Sequence, residues 1–338
     1  MTDQLTSLEI CAGAGGQFSG IERAGFAHEL AVEIDPWAAA TLRLNRPNLN
    51  VHEGDVREID GRKFRGIDLL AGGVPCPPFS VAGKQLGQDD ERDLFPEALR
   101  LVREARPTAV LLENVKGLAS TRFSTYRESI LHELDALGYD ADWKLIEAAS
   151  YGVPQLRPRF LLVAMRRRHF KKFAWGLHSD RTTTVGEALH PFMAANGWRG
   201  ADSWAVRANR VAPTLVGGSK RHGGADLGPT RARAAWLELG VDGRGIADAP
   251  PDAETPVDHT PRLTLQMAAR VQGFPAEWNF AGRKTAAYRQ IGNAFPPPVA
   301  EAVGRRIQKA LAGKTLGRDE QTVVPLLSRL GAGGRAAS

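Results

Sequence analysis

Residues 72–80 contain the most reactive side chain of the sequence, a cysteine on a rigid loop. Cys76 is one of only two cysteines among 338 residues, and it lies between Pro75 and two further prolines. Proline fixes φ and restricts the residue before it, so the loop holds the thiol stiffly after the apolar run 67–71, which predicts a short buried strand. A thiol in this position is suited to act as a nucleophile, whereas an isolated cysteine is commonly a small buried apolar side chain. Both interpretations stay open on this loop alone.

Carboxylates follow three of the other predicted strands. Glu33 ends the second strand, Asp55 follows the third, and Glu113 closes the fifth. The first strand ends in the glycine turn 12–16, which precedes a helix, as in folds that bind a ligand at a helix N-terminus. A buried carboxylate is costly without a reason, and parallel α/β sheets bind ligands at the carboxyl ends of their strands. The sequence therefore predicts one site in which these groups meet Cys76.

The glycine turn and the acids after it also have structural interpretations. A glycine cluster of this kind is about as common in a tight turn that binds nothing. Asp35 followed by Pro36 is typical of a helix cap, which is a weaker explanation for Glu33. Glu33 lies seventeen residues past Gly16, a spacing that suits hydrogen bonds to ribose hydroxyls.

The elements that must position these residues alternate between strand and helix as far as residue 168. The sequence predicts strands at 5–11, 29–34, 50–52, 67–71, 109–112, 141–149 and 160–165, and helices around 18–24, 94–104 and 123–137. This alternation indicates a doubly wound α/β domain with a mostly parallel sheet. From about 169 the periodicity is poor, 241–261 is expected to be a surface loop, and helices resume at 263–271 and 297–311.

Composition and charge exclude several classes of protein. Two cysteines exclude a disulfide scaffold, the polar start is not a signal peptide, and no run of about eighteen apolar residues is present. We therefore expect a cytoplasmic protein with no membrane segment. The net charge is +6, but residues 157–233 hold fifteen Lys and Arg against four Asp and Glu, which leaves about −5 for the rest of the chain. Such a basic segment favours a polyanionic partner, although charge runs are often only solvated surface.

Six segments in order along the chain resemble the motifs of one family, the DNA (cytosine-5) methyltransferases of bacterial restriction-modification type. They are the glycine turn at 12–16, the Pro-Cys loop at 72–80, Glu-Asn-Val at 113–115, Gln-Leu-Arg-Pro-Arg at 155–159, and the segments 262–278 and 290–294. These matches lie between about residues 7 and 305, and chance agreement at six ordered motifs is negligible.

The resemblance implies a two-domain architecture. The expected domains are a Rossmann-like S-adenosylmethionine-dependent methyltransferase domain, formed by 1–168 and 288–312, and a smaller, irregular target-recognition domain at 169–287. DNA would lie in the cleft between them, and 313–338 would form a C-terminal tail. The last helix is expected to return and pack beside the glycine turn.

The resemblance also implies the cofactor, S-adenosyl-L-methionine, with S-adenosyl-L-homocysteine as product and no metal. The glycines would line its amino-acid end, Glu33 would bind its ribose, and Asp55 would lie near its adenine. The residues expected to bind it are Cys11, Gly13, Gly15, Gly16, Glu33, Ile34, Asp55, Val56, Pro75, Leu94 and Asn293. Two positions depart from the family, which often has Phe at position 11 and more usually Asp than Glu at position 9.

The implied chemistry is addition of the Cys76 thiolate to C6 of a flipped cytosine. Glu113 would supply a proton at N3, and Arg159 would hold O2 with Arg157 in support. The loop 84–93 would cover the base, and the basic region 166–233 would contact phosphates. The residues expected to contact DNA are Ser80, Gln85, Thr214, Leu215, Ser219, Lys220, Arg221 and His222, although 213–224 is also consistent with a plain glycine-rich surface loop.

The implied partner is double-stranded DNA, with functional pairing to a restriction endonuclease but no stable complex, and we expect a monomer associated with the nucleoid. Three alternatives compete with this interpretation. A nicotinamide dehydrogenase would explain the glycine turn and Glu33, but it leaves the Pro-Cys and Gln155–Arg159 segments unexplained. A tRNA-directed relative would carry a Cys-Phe-Thr element, which is absent because Ala12 and Pro77 follow the two cysteines. A catalytically silent DNA-binding member would not be expected to keep Cys76 and Glu113.

Overall fold

The chain folds around one seven-stranded sheet. The computed structural model describes residues 4–75, 93–176, 182–218 and 224–313. The strands are β1 (Leu5–Ile10), β2 (Phe26–Glu33), β3 (Val51–Glu53), β4 (Leu69–Gly72), β5 (Ala109–Val115), β6 (Tyr139–Glu147) and β7 (Pro158–Arg166). Their spatial order is β3-β2-β1-β4-β5-β7-β6.

Only β7 runs against the other strands of this sheet. The pairs β1–β2, β1–β4, β2–β3 and β4–β5 are parallel, whereas β7 is antiparallel to both of its neighbours, β5 and β6. Parallel neighbours need a crossover, but β6 and β7 are joined by the short connection 148–157. The sheet is therefore mostly parallel, as predicted, and the connection 148–157 lies at the edge where the parallel strands end.

Eleven helices accompany the sheet in the described residues. They are α1 (Gly16–Arg23), α2 (Pro36–Asn45), α3 (Phe95–Ala105), α4 (Ser124–Ala136), α5 (Arg167–Phe170), α6 (Val185–Met193), α7 (Ala201–Arg207), α8 (Thr230–Glu238), α9 (Leu265–Gln272), α10 (Lys284–Asn293) and α11 (Pro297–Leu311). Local sequence sets several boundaries: Asp35 caps α2 by accepting the backbone N–H groups of Trp37 and Ala38, with Pro36 as the first helical residue. None of these helices is long and apolar enough to cross a membrane.

Alternate residues of the central strands enter different hydrophobic cores. In β5, Val110 and Leu112 belong to the core that includes α3 and α4, whereas Ala109 and Leu111 belong to the core under α11. Successive strand side chains point to opposite faces, so a near-continuous apolar strand is what a sheet covered on both faces requires. The doubly wound α/β architecture predicted from the sequence is confirmed.

The last helix packs directly on the first. A Cβ on Gly20 of α1 would lie 2.4 Å from the Pro297 carbonyl oxygen and 2.6 Å from the Ala300 Cβ of α11. Only glycine permits this approach of two helix backbones. Because α1 follows the glycine turn, α11 lies beside that turn, as the family resemblance implied.

The second half of the chain is more helical than its weak periodicity predicted. The helices α6, α7, α8 and α10 were not anticipated, because each is short and the core they enclose depends on a few large residues. Trp198, Trp204 and Trp236 are buried in that core, which also reaches Leu42 and Phe18 of the first half. Residues 241–261 contain no helix or strand beyond isolated bridges at Asp252, as expected of a loop.

Candidate active site

A cavity opens at the edge where the parallel strands end. It encloses about 780 Å³ of space, counted together with the open solvent at its mouth. The lining comes from the glycine turn, the ends of β2, β4 and β5, and helices α2 and α10. The lining residues are Cys11, Ala12, Gly13, Ala14, Gly16, Gln17, Glu33, Asp35, Ala38, Gly73, Glu113, Ala286, Arg289, Gln290, Asn293, Ala294 and Phe295.

Glu33 is held at this wall by two backbone groups. Its carboxylate accepts the N–H of Gly13 at 2.7 Å and the N–H of Asp35 at 2.7 Å. Burial raises the pKa of the Glu33 carboxyl, and these two hydrogen bonds offset part of the rise. The positive φ of Gly13, 54°, lets the turn bring its N–H to Glu33. The turn and the acid are therefore one unit, each fixing the orientation of the other.

Glu113 and Arg159 form an ion pair beside the cavity. The Nε of Arg159 lies 2.6 Å from Oε1 of Glu113, and both side chains are largely buried. Burial raises the pKa of the Glu113 carboxyl, while the charges of Arg159 and Arg157 act in the opposite direction. A Cβ placed on Gly73 would lie 3.4 Å from the Glu113 Oε2, so the carboxylate lies against the segment that leads into the Pro-Cys loop.

The Pro-Cys loop is anchored on both sides of the stretch 76–92, which lies outside the described residues. The Nδ2 of Asn114 donates to the Val74 carbonyl at 2.8 Å, and the N–H of Leu94 donates to the Pro75 carbonyl at 3.1 Å. Because Asn114 follows Glu113 in β5, one strand end carries the carboxylate and secures the start of the loop. The predictions for Cys76, Ser80, Gln85 and the loop 84–93 fall in that stretch, except for Asp93, and they stay predictions.

Arg157 is buried and bonded to main-chain carbonyls. Its guanidinium donates to the oxygens of Leu215 at 2.9 Å, Gly292 at 2.7 Å and Ala294 at 3.0 Å. The side chain is 1% exposed, and burial lowers the pKa of its guanidinium well below the usual value. Arg157 therefore joins three parts of the chain and is placed to position the site. The predicted role of Arg157, which is to support Arg159 and the Pro-Cys loop, stays a prediction.

Thr214 and Leu215, at the start of the predicted DNA-contacting loop, are held by Gln155 and Leu156, the two residues before Arg157. The Leu215 N–H donates to Oε1 of the buried Gln155 at 3.0 Å, and the Thr214 hydroxyl donates to the Leu156 carbonyl at 2.5 Å. Leu215 is only 1% exposed. The prediction that Leu215 contacts DNA is therefore wrong, because its side chain is packed in the core. Ser219, Lys220, Arg221 and His222 lie outside the described residues.

Several residues predicted to bind the cofactor lie beside the cavity without lining it. Gly15 faces Trp278, since a Cβ there would lie 2.5 Å from that ring. Val56 is buried in the core next to β4 and does not line the cavity, so its contact with the cofactor stays a prediction. Asp55 caps a short turn by accepting the N–H of Arg57 at 2.9 Å. Ile34 is 65% exposed.

Cys11 does line the cavity, and its thiol is protonated. Burial raises the pKa of this thiol to about 12, and the charges of Glu33 and Asp55 add to the rise. The residue also has a positive φ of 49°, which side chains other than glycine rarely adopt. The Cys11 thiol is therefore an apolar surface of the cavity.

The basic stretch 166–172 lies at the opposite edge of the sheet. The pairing of β7 with β5 sets Arg159 beside Val115 but Met165 beside Ala109, and the Arg166 N–H donates to the Thr108 carbonyl at 3.0 Å. Seven residues of strand separate Arg159 from Arg166 by roughly 23 Å. Because β7 runs against the other strands, this stretch lies far from the cavity, and the prediction that the whole basic region 166–233 contacts the phosphates of DNA stays a prediction.

Sequence reasoning named Asn293 of α10 but missed Ala286, Arg289 and Gln290 of the same helix. Ala286, Arg289, Gln290 and Asn293 all line the cavity. Their spacing of three and four residues places them on one helix face. The signal was the motif at 290–294 extended backwards with helical periodicity, which would have put Arg289 one turn before Asn293.

Comparison with known proteins agrees with this arrangement. Residues 5–309 match the sequence profile of a family described as C-5 cytosine-specific DNA methylase. The Type II methyltransferase M.NaeI of Lentzea aerocolonigenes is 56% identical over 319 residues, which are 93% of this chain and 77% of that protein. M.NgoMIV of Neisseria gonorrhoeae is 55% identical over 312 residues, 91% of this chain and 98% of that protein.

The fold is shared with solved structures of lower identity. A crystal structure of a Spodoptera frugiperda DNMT2 mutant superposes with a TM-score of 0.64 at 16% identity. The match covers 90% of this chain and 99% of that one. At this identity the likeness concerns the fold alone.

Proposed function

Because the chain belongs to the C-5 cytosine-specific DNA methylase family, we propose that it methylates C5 of one cytosine in a short double-stranded DNA sequence. It is a DNA (cytosine-5-)-methyltransferase of restriction-modification type, and S-adenosyl-L-methionine would be its methyl donor. The observation that carries the proposal is the Glu113–Arg159 ion pair. It lies where the glycine-turn cavity meets the segment leading to Cys76.

The cavity fits the chemistry of this cofactor. Glu33 and Asp35 offer carboxylate oxygens for hydroxyl and ammonium groups, and Arg289 and Asn293 offer donors for a carboxylate. The N-terminus of α1 opens at Gly16, where a helix dipole favours negative charge. When bound, the cofactor supplies a methyl group on a positively charged sulfur. Within the described residues no group of three metal-ligating side chains occurs.

The residues of the chain would make the cytosine reactive through a covalent step. The Cys76 thiolate adds to C6, and a proton reaches N3, so that the C5=C6 double bond gives way to an enamine whose C5 is nucleophilic. After methyl transfer to C5, water takes the proton from C5, Cys76 is eliminated, and N3 returns its proton to Glu113, which restores the aromatic ring and the free thiolate. The base must leave the helix for this reaction, at a cost of a few kcal/mol.

Glu113 and Arg159 take complementary roles in this scheme. Glu113 carries the proton for N3, and a raised pKa suits a carboxyl group that must hold a proton near neutral pH. Arg159 donates to the cytosine O2, where negative charge develops. Its Nε is engaged with Glu113, and its Nη1 donates to the Pro158 carbonyl at 2.9 Å. Nη2 has hydrogens to offer a base.

The remaining parts of the proposal concern DNA and its protection. Residues 219–222 contain Ser, Lys, Arg and His, whose side chains suit the edges of bases in the major groove. Methylation of the recognition sequence would protect host DNA from a restriction endonuclease of the same specificity. This role is what the Type II names of the relatives support.

Bisulfite sequencing tests the proposal directly. Plasmid DNA from cells that express the protein is expected to carry 5-methylcytosine at one short sequence, and plasmid DNA from cells that express Cys76→Ala is expected to carry none. A wild-type plasmid without any 5-methylcytosine contradicts the proposed activity. Methylation by Cys76→Ala contradicts the role of Cys76.

A second measurement isolates the covalent step. A duplex carrying 5-fluorocytosine at the methylated position should form a stable adduct with the wild-type protein in the presence of S-adenosyl-L-methionine, because fluorine cannot leave C5 as a cation. Denaturing electrophoresis detects the adduct, and the Cys76→Ala protein serves as control. Turnover on normal DNA without an adduct on the fluorinated duplex would rule out this mechanism.

A further inference from the structure

Gly217 packs against the end of α10 with no room for a side chain. A Cβ on Gly217 would lie 2.5 Å from Oδ1 of Asn293 and 2.6 Å from the Arg289 carbonyl oxygen. From the other side, a Cβ on Gly292 would lie 2.5 Å from the Cα of Gly217. Two backbones meet here, and each side of the contact requires glycine.

The same turn of α10 forms part of the cavity wall. Arg289 and Asn293 line the cavity, and the Nδ2 of Asn293 donates to the Gly218 carbonyl at 3.2 Å. Asn293 therefore borders the cavity while its amide lies against Gly217 and Gly218. Arg157 reinforces the contact, since it donates to carbonyls on both sides, those of Leu215 and Gly292.

The segment on the far side of residues 219–223 is attached differently. A Cβ on Gly224 would meet only Oδ2 of Asp226, at 3.9 Å, which is an ordinary contact distance. The chain then joins a different part of the structure, where the Leu227 N–H donates to the Gly243 carbonyl at 3.0 Å. The described glycines on the two sides of 219–223 thus differ: Gly217 is packed on the cavity wall, and Gly224 has open space around it.

We infer that Gly217 is a positioning residue that couples the cofactor cavity to the segment 213–218, so that a ligand in the cavity holds this segment in place. The inference rests on the proposed function, which assigns the cavity to S-adenosyl-L-methionine and residues 219–222 to DNA. A side chain at 217 would push the Asn293 amide and the Arg289 carbonyl toward the cavity. A ligand in the cavity that holds the end of α10 in place therefore also holds the segment 213–218 in place. Because the two effects are thermodynamically linked, holding 213–218 in place favours binding of the ligand by the same amount.

Alanine substitution at the two glycines tests the inference. Binding of S-adenosyl-L-homocysteine to the full chain, without DNA, is measured by calorimetry for wild type, Gly217→Ala and Gly224→Ala. We expect Gly217→Ala to weaken binding about 3- to 10-fold, the effect of one hydrogen bond. Gly224→Ala, on the far side of residues 219–223, is expected to bind as wild type does. Equal affinities in the two variants would overturn the inference.

A measurement on the wild-type protein decides the question if Gly217→Ala does not fold. Hydrogen exchange of the backbone amides is followed with and without S-adenosyl-L-homocysteine. The amides of 214–218 are expected to exchange more slowly when this compound is bound, whereas those of 224–228 are expected to be unchanged. If 214–218 exchange at the same rate in both samples, the inference is wrong. A wild-type protein that neither binds the compound nor methylates DNA would instead reject the proposed function, so the two failures are distinct.

Discussion

The guanidinium of Arg159 and the carboxylate of Glu113 meet diagonally across two antiparallel strands. Arg159 lies opposite Val115 in the β5–β7 register, and Glu113 lies two residues before Val115 in β5, on the same face. Their Nε and Oε1 atoms are 2.6 Å apart. The proton affinity of the carboxyl group is therefore set by two opposed effects, since burial raises its pKa and the arginine lowers it.

Replacing Glu113 with Gln should remove the proton donor without changing the shape of the site. We expect kcat to fall by about 10²- to 10⁴-fold, the usual contribution of a positioned acid. The rate of the wild-type enzyme should fall at high pH, because the raised pKa of Glu113 sets the pH above which the proton is lost. The profile of kcat against pH for Glu113→Gln should lack this decline. If kcat of the variant declines at high pH as it does in the wild type, a group other than Glu113 causes the decline.

Replacing Arg159 should shift the pH at which kcat declines. The charge of Arg159 lowers the pKa of Glu113, so Arg159→Met should shift the alkaline decline of kcat to higher pH, in addition to lowering kcat itself. Arg159→Lys keeps the positive charge and serves as the control, with a smaller shift expected. If the decline moves to lower pH in Arg159→Met, the coupling of this pair has been assigned with the wrong sign.

Asn114 should contribute to both stability and activity. Its Nδ2 donates to the carbonyl of Val74, two residues before Cys76, and the side chain is buried. Asn114→Ala leaves that buried carbonyl without this donor, and we expect the free energy of unfolding to fall by about 1–3 kcal/mol, with a lower kcat. Asn45→Ala is the comparison, because the Asn45 amide also bonds to the backbone but on a more exposed surface: it donates to the carbonyls of Thr41 at 2.8 Å and Asn279 at 2.7 Å and accepts the Asn279 N–H at 2.9 Å. Urea denaturation measures both, and equal losses would show that burial of the Asn114 bond does not matter.

His28 should make stability depend on pH in the acid range. Burial lowers the pKa of its imidazole to about 4, from an ordinary value of about 6.5. As the pH falls from about 6.5 to 4, the unfolded chain takes up this proton while the folded protein does not. The free energy of unfolding should therefore decrease by on the order of 3 kcal/mol over that interval from this group alone, and above it the contribution is fully present.

The variant His28→Gln isolates that contribution. Urea denaturation at pH 7 and at pH 5 should show a smaller loss of stability in the variant than in wild type, because all other titrating groups are common to both proteins. The absolute stability of the variant is not the readout, since His28 also stacks on Phe18 with ring centroids 3.7 Å apart. Equal losses in the two proteins would mean that His28 is protonated in the folded state.

The sequence was most informative where strands end. The positions of Glu33 and Glu113 after apolar strands were sufficient to bring them to one cavity, because a parallel sheet places its carboxyl ends along one edge. Direction was harder to predict. Nothing in the residues of β7 indicates that it runs against its neighbours, so the sequence did not predict that the basic stretch after it lies at the opposite edge of the sheet.

The environment of individual side chains could not be predicted from the sequence either. Arg157 and Arg159 are two residues apart and chemically identical, yet one is buried among carbonyls and the other meets Glu113. Which of them contacts a substrate depends on the packing of residues 215 and 292–294 against Arg157, and these contacts join segments far apart in the sequence. Leu215 was misassigned for the same reason.

The contacts of Arg157 have a consequence for how specificity can diverge. Among the described residues, the Arg157 guanidinium has three hydrogen-bond acceptors within 3.0 Å. All three are main-chain oxygens, those of Leu215, Gly292 and Ala294. Main-chain oxygens are present whatever side chains surround them. New recognition residues could therefore be exchanged into the segment after Gly218, by evolution or by grafting from a relative, without redesigning the support that holds the segment in place.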